Sequence, residues 1–328
     1  MSLAPKREAV IAGLVVAGLV LALASMAAGR VWVPFAVWFK PADPLWPILF
    51  DLRLPRTLLA IGVGASLGMS GAAMQGYTRN PLADPGSLGV SSMAALGAVL
   101  TLYLGMGAQA PWVIAAAGMA GALAAVLLLM ALSGQSPGVM TFILAGVILN
   151  TMAGAGVALA LSLAPNPWAV NEIVNWIMGS LADRSAGEVE MAAPFMIAGC
   201  VLLMFTTRAL DALTLGETGA RSLGINLAAV RWILAIGVAL STGASVAVTG
   251  VIGFVGLIVP HLLRPWVGAR PGGLLLPSAL GGAVLVLAAD IAVRLTPAAN
   301  EVKLGVAMAA LGGPFFFALL LRLRRRLA

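Results

Sequence analysis

Charge is what this chain most lacks. Only 9% of its 328 residues are Asp, Glu, Lys or Arg, whereas a water-soluble domain needs roughly a quarter of its residues charged to cover its surface. With 61% hydrophobic residues, 39 glycines and a mean hydropathy of +1.04, a soluble domain is excluded and an all-α polytopic membrane protein is expected. Cysteine is scarce too: Cys200 stands alone in an apolar run, so no intramolecular disulfide can form and the redox compartment stays open. One His and one Cys leave no cluster for a metal or a nucleophile, which argues against a membrane enzyme and against a metal site. There is no Gly-x-x-x-x-Gly-Lys-Ser/Thr phosphate loop, so ATP must be handled by another chain, and no cofactor bound by this chain is expected. Titratable groups are rare inside the apolar runs, with Asp290 near a helix end. An ion-coupled secondary transporter, the rival class, needs such groups at mid-membrane.

What is present is apolar length. Runs near the ~20 residues a bilayer requires give ten candidate spans, at about 9–29, 57–77, 87–105, 112–132, 141–163, 190–207, 230–249, 251–263, 273–293 and 304–321. The first mimics a signal peptide, with Lys6 and Arg7 before it and Ala24-Ser25-Met26-Ala27-Ala28 after, but is long enough to span and reads as an uncleaved helix. The eighth is short, with glycines before Pro260, and is expected to be tilted or broken. With both termini cytoplasmic, twelve of the nineteen Lys and Arg fall on the cytoplasmic side, as the positive-inside bias favours. Trp32, Trp38, Trp46, Trp112, Trp168 and Trp176 fall near outer span ends. The +7 net charge thus needs no nucleic acid to explain it.

An internal repeat orders the spans. Arg56-Thr-Leu-Leu-Ala-Ile-Gly-Val-Gly-Ala-Ser-Leu-Gly68 aligns with Arg231-Trp-Ile-Leu-Ala-Ile-Gly-Val-Ala-Leu-Ser-Thr-Gly243 at eight of thirteen positions. The offset pairs the second span with the seventh and Pro85 with Pro260. One domain, 1–328, is therefore expected, built from halves at about 1–165 and 190–328. Five spans per half is odd, so the halves must be inverted, an arrangement common in transporters. Between the sixth and seventh spans lies a long polar segment, 206–226, whose helical spacing marks it as a contact surface for a soluble partner or as a plain solvated loop.

Several strings together are specific: Arg53-Leu-Pro-Arg56, Gln75 with Arg79-Asn-Pro-Leu-Ala-Asp-Pro-Gly86, Leu215-Gly-Glu-Thr-Gly-Ala-Arg-Ser-Leu-Gly224, Gly253-Phe-Val-Gly-Leu-Ile-Val-Pro-His-Leu-Leu-Arg264, Ala289-Asp290 with Arg294, and Gly312-Gly-Pro-Phe-Phe316. From about residue 50 to 320 the chain resembles the FecCD-type permeases of ATP-driven importers for ferric siderophores, haem and cobalamin. Where that family usually has Glu-Leu-Pro-x-Gly, Glu301-Val-Lys-Leu-Gly305 carries Lys303, which puts the shape of that outer loop in doubt.

The resemblance implies a bacterial inner-membrane permease. Two copies would pair around a central pathway, with two cytoplasmic ATP-binding subunits beneath and a periplasmic substrate-binding protein above. The cargo it implies is an iron chelate, siderophore or haem, with cobalamin as the alternative. It makes 206–226 the coupling loop, with Leu215, Gly216, Glu217, Ala220, Arg221, Leu223 and Gly224 as its coupling residues, Leu215 and Leu223 as the apolar contacts to the ATPase and Glu217 pairing with Arg221 four residues on. Arg53, Arg56 and Arg294 would receive the binding protein's carboxylates, for which the planar guanidinium is suited; lipid-headgroup anchoring is the other reading. Gln75, Asn80 and Asn150 would border the pathway or bond helix to helix. The lone His261 reads as a hydrogen-bonded structural residue rather than a haem ligand.

Overall fold

The computed structural model describes residues 4–29, 31, 33–106, 111–134, 138–297 and 301–327, and among them there is no strand. Arg30 and Trp32 lie outside the described residues. Helix α1, Ala4–Ala27, is followed by one π-helical turn, Ile48–Arg53, that runs directly into α2, Leu54–Thr78. A short 3-10 turn, Pro85–Leu88, precedes α3, Val90–Tyr103, and then come α4, Pro111–Ser133, α5, Val139–Ser162, and a short α6, Pro167–Ile177. After α7, Ala186–Phe205, the polar segment forms α8, Thr207–Leu213, and α9, Gly216–Ser222. The chain ends with α10, Leu227–Thr249, α11, Val255–Val267, α12, Pro271–Leu295, and α13, Leu304–Leu327.

All ten expected spans are helical. Seven are long and apolar enough to cross a bilayer, and α3, α11 and the apolar part of α13 are shorter. The eighth span breaks as expected: residues 251–254 are not helical, Phe254 has φ 68°, and α11 contains Pro260 and Pro265. Helix α6 was not anticipated, because eleven residues are too few to register as a span. Its start is nonetheless written in the sequence, since Asn166 accepts the Ala169 N–H at 2.9 Å and Pro167 follows.

Helices α2, α10 and α12 are the most buried of the spans and α1 the least. In lipid there is no hydrophobic force drawing one helix to another, so close association depends on small residues that let backbones approach. Along α2, a Cβ at Gly64 would stand 2.3 Å from Gly282 O, and at Gly68 2.1 Å from Ser278 O, both on α12. Helix α10 meets α4 by similar means, Gly243 against Ala122 and Gly118 against Ala247. Some buried hydroxyls pair across helices, as polar groups in an apolar interior favour: Ser70 bonds Ser241 at 2.8 Å, tying α2 to α10, and Ser25 bonds Thr57 at 2.7 Å, tying α1 to α2.

The connections gather on two opposite faces. On one, α8 and α9 meet the starts of α5 and α12. On the other, the end of α1, Arg53, Arg294 and Glu301 surround one cavity. The latter face also joins three chain segments: Ser180 N donates to Thr249 O at 2.7 Å and Gly305 N to Gly179 O at 3.1 Å. Lys303 does not disturb this junction. Its carbonyl accepts the Ala307 N–H at 3.1 Å, so α13 begins on schedule at Leu304 without a proline before it.

Candidate functional site

The polar segment is a built surface rather than a slack loop. Just past the end of α9 stands Gly224 at φ 79°, where Ile225 N bonds Ala220 O at 3.1 Å and Gly224 N bonds Arg221 O at 2.9 Å. These two bonds satisfy carbonyls that a helix end otherwise leaves unpaired, and the left-handed residue between them favours glycine. Gly216, at φ 85°, makes the corresponding turn between α8 and α9. Ala220 is buried and seats α9, while Leu215 and Leu223 are 68% and 62% exposed. Two bared leucines flank the helix on a face that is otherwise polar. Arg221 is exposed beside them.

Glu217 does not pair with Arg221. It turns instead to the start of α5, where its carboxylate accepts the Val139 N–H at 3.2 Å. The reason is electrostatic: the first N–H groups of a helix lack internal partners and carry the positive end of its dipole. Asp211 on α8 does the same for α12, accepting the Gly272 N–H at 2.8 Å. A Cβ at Gly272 would stand 2.4 Å from Thr207 O, so α12 abuts α8 directly. Asp211 was not singled out from the sequence. Its partner lies 61 residues away and spacing along the chain carries no sign of it.

On the opposite face the arginines serve the chain itself. Arg53 donates to Met26 O at 2.8 Å, Ala27 O at 2.9 Å and Val31 O at 2.6 Å, and Arg294 donates to Ser25 O at 2.8 Å. All of these acceptors but Val31 O lie in the last turn of α1, where cations are favoured. Arg294 also holds Asp290, Nε to Oδ2 at 2.9 Å, and Arg56 holds the same carboxylate, Nη2 to Oδ1 at 2.7 Å, as well as Glu301. Asp290 is fully buried, and Arg53 and Arg294 nearly so. The three arginines, with Asp183, Arg184 and Glu301, line a cavity of about 230 Å³.

The three amides separate. Gln75 is buried, donates to Gly256 O at 3.1 Å and accepts from Arg264 at 2.9 Å, so it bonds α2 to α11. Asn80 is exposed and accepts the Leu82 N–H at 2.9 Å, shaping the turn after α2. Asn150 is exposed midway along α5, where it accepts from Ser92 of α3. His261 is not hydrogen-bonded as expected: Nδ1 is buried without a partner among the described residues, and the ring meets Phe315 edge-on at 5.9 Å.

Comparison with known proteins agrees with this architecture. Residues 15–322 match the FecCD transport family. The hemin transport system permease protein HmuU of Yersinia pestis is 38% identical over 315 residues, covering 94% of this chain and 93% of its own. A vitamin B12 import system permease protein, BtuC of Shigella boydii, is 37% identical over 308 residues, 92% of each. The uncharacterized ABC transporter permease protein YvrB of Bacillus subtilis is 40% identical over 290 residues, 86% of this chain and 81% of its own. Among solved structures, an inward-facing metal-chelate type ABC transporter superposes with TM-score 0.84 at 29% identity, covering 96% of this chain and 99% of that one. A multi-pass helical chain, matched nearly end to end by transport permeases, belongs to the FecCD transport family.

Proposed function

We infer that this chain is the membrane subunit of an ATP-driven importer of an iron chelate, siderophore or haem, in a bacterial inner membrane with both termini cytoplasmic. Two copies line one pathway, two separate subunits bind and hydrolyse ATP beneath the α8–α9 face, and a periplasmic binding protein docks on the arginine face. This chain itself binds no cofactor. The observation that carries the reading is the α8–α9 surface: exposed Leu215 and Leu223 offer a partner an apolar grip, while Asp211 and Glu217 fasten the same surface to α12 and α5. Movement of a docked ATPase is thus passed to two spans through backbone bonds. Asn150, exposed in mid-span and held by Ser92 through its Oδ1, supports α5 as a pathway helix, because the amide N–H groups would be costly to turn to lipid.

Two inverted halves, about 1–165 and 190–328, are part of the proposal. Their support is a matched set of packings: α2 lies on α12 and α11, and its repeat partner α10 lies on α4 and α3. On the arginine face, Glu301 holds Arg56 from a loop that is partly exposed. A binding protein's carboxylate can take its place there, with Arg53 and Arg294 fixing the rim. Cobalamin is the second reading of the cargo, favoured by the near-equal identity to HmuU and BtuC. The test is ATPase activity of the complete importer in liposomes, with the cognate binding protein and ferric siderophore, haem and cobalamin offered one at a time. An iron chelate should stimulate hydrolysis and accumulate inside. Stimulation by cobalamin alone would replace the first cargo by the second.

A further inference from the structure

Helices α4 and α7 both pack on α10, and between them a groove of about 420 Å³ runs over the surface that lipid covers. Its floor is Ala244 and Ala247, one wall Ala116 and Ala120, the other Met191 and Phe195. The lining is apolar throughout. Toward the arginine face it opens, past Trp112 and Met191, into a second cavity of about 470 Å³ that contains Arg184, Ser185 and Glu188. There Arg184 Nη1 stands 3.6 Å from Glu188 Oε1, and Arg184 Nε is buried with no hydrogen-bond partner. Glu188 is already fixed by the Ser185 N–H at 2.9 Å. An apolar slot at bilayer depth therefore ends, at the level of an interfacial tryptophan, in a cation and an anion side by side.

We propose that this groove holds a phospholipid with a zwitterionic, primary-amine headgroup of the phosphatidylethanolamine type. One acyl chain fills the slot, the phosphodiester accepts from the Arg184 guanidinium, and the ammonium donates to Glu188. The charge pattern selects this occupant. A neutral helix of a second copy laid in the groove would offer the Arg184 guanidinium no anion, a choline headgroup would offer Glu188 no N–H, and an anionic headgroup without an amine would face Glu188 as a like charge.

The test is native mass spectrometry of the full-length chain in mild detergent, given equimolar phosphatidylethanolamine, phosphatidylglycerol and phosphatidylcholine with identical acyl chains. One phosphatidylethanolamine per chain should be retained in preference to the others. Arg184→Gln should weaken that retention about fivefold, the weight of one partly exposed ionic contact. Ala120→Phe, made at an exposed groove position, should remove bound lipid whatever its headgroup. Thermal unfolding in the same lipids gives a second readout: phosphatidylethanolamine should raise the midpoint of the wild type and leave that of Ala120→Phe unchanged. Equal retention of the three lipids, preference for phosphatidylglycerol, or full retention by Ala120→Phe would overturn the proposal. So would a change from dimer to monomer mass in Ala120→Phe, which would make the groove an interface between copies.

Discussion

At the residue scale, Asp290 concentrates the energetics of the arginine face. It is fully buried and held by Arg56 and Arg294 together. Removing one member of a buried ion pair leaves an uncompensated charge and costs about 3–5 kcal/mol. Asp290→Asn is therefore expected to lower the unfolding midpoint sharply in detergent. Because the partners are coupled, Asp290→Leu combined with Arg294→Met should cost less than the two changes summed, Arg56 still having Glu301. An additive result would show that the pair does not act as a unit. Gly224 tests the other face. A Cβ there meets nothing within 4 Å, so the only penalty of Gly224→Leu is the left-handed backbone, about 1–2 kcal/mol. Gly224→Asn, which tolerates that backbone, should remain coupled where Gly224→Leu does not; equal transport by both would remove the role assigned to this turn.

At the element scale, the spans were legible because bilayer thickness sets the length of an apolar run, a length that seven of the ten helices have in full, and no packing detail was needed to find them. The partners of individual polar side chains were not legible. Arg53 and Arg294 read as docking groups or as headgroup anchors, and nothing in their spacing told that carbonyls at the end of α1 would be among their partners. Glu217 had Arg221 four residues on, but the start of α5, 78 residues back in sequence, presents a stronger field. These helix-end bonds make a prediction about coupling. Loss of one carboxylate cap costs about 1 kcal/mol, so Asp211→Ala and Glu217→Ala should each lower the unfolding midpoint by a few degrees. Each should also reduce cargo-stimulated ATP hydrolysis while both partners still dock, measured by co-purification. Wild-type stimulation in both variants would mean that force does not travel through these two bonds.

At the scale of the whole molecule, small residues bring α2 onto α12 and α10 onto α4, so the centre of the chain is rigidly interlocked. Gly68→Leu would drive a side chain into Ser278 O, 2.1 Å from its Cβ, and is expected to abolish folded, monodisperse protein on size exclusion. A frame this closely packed moves as a body when its attached elements are pushed, which suits the proposal that energy arrives from a separate subunit. Purified in detergent, the chain should be a homodimer without ATPase activity of its own. The central claim is most directly tested by reconstituting it in liposomes with and without the separate ATP-binding subunit, and by following entry of a radiolabelled iron chelate delivered by the binding protein. Uptake that requires both that subunit and ATP on its side, and that persists when ion gradients are collapsed, is the predicted result. Uptake by this chain alone under a proton or sodium gradient, with no nucleotide, would contradict it.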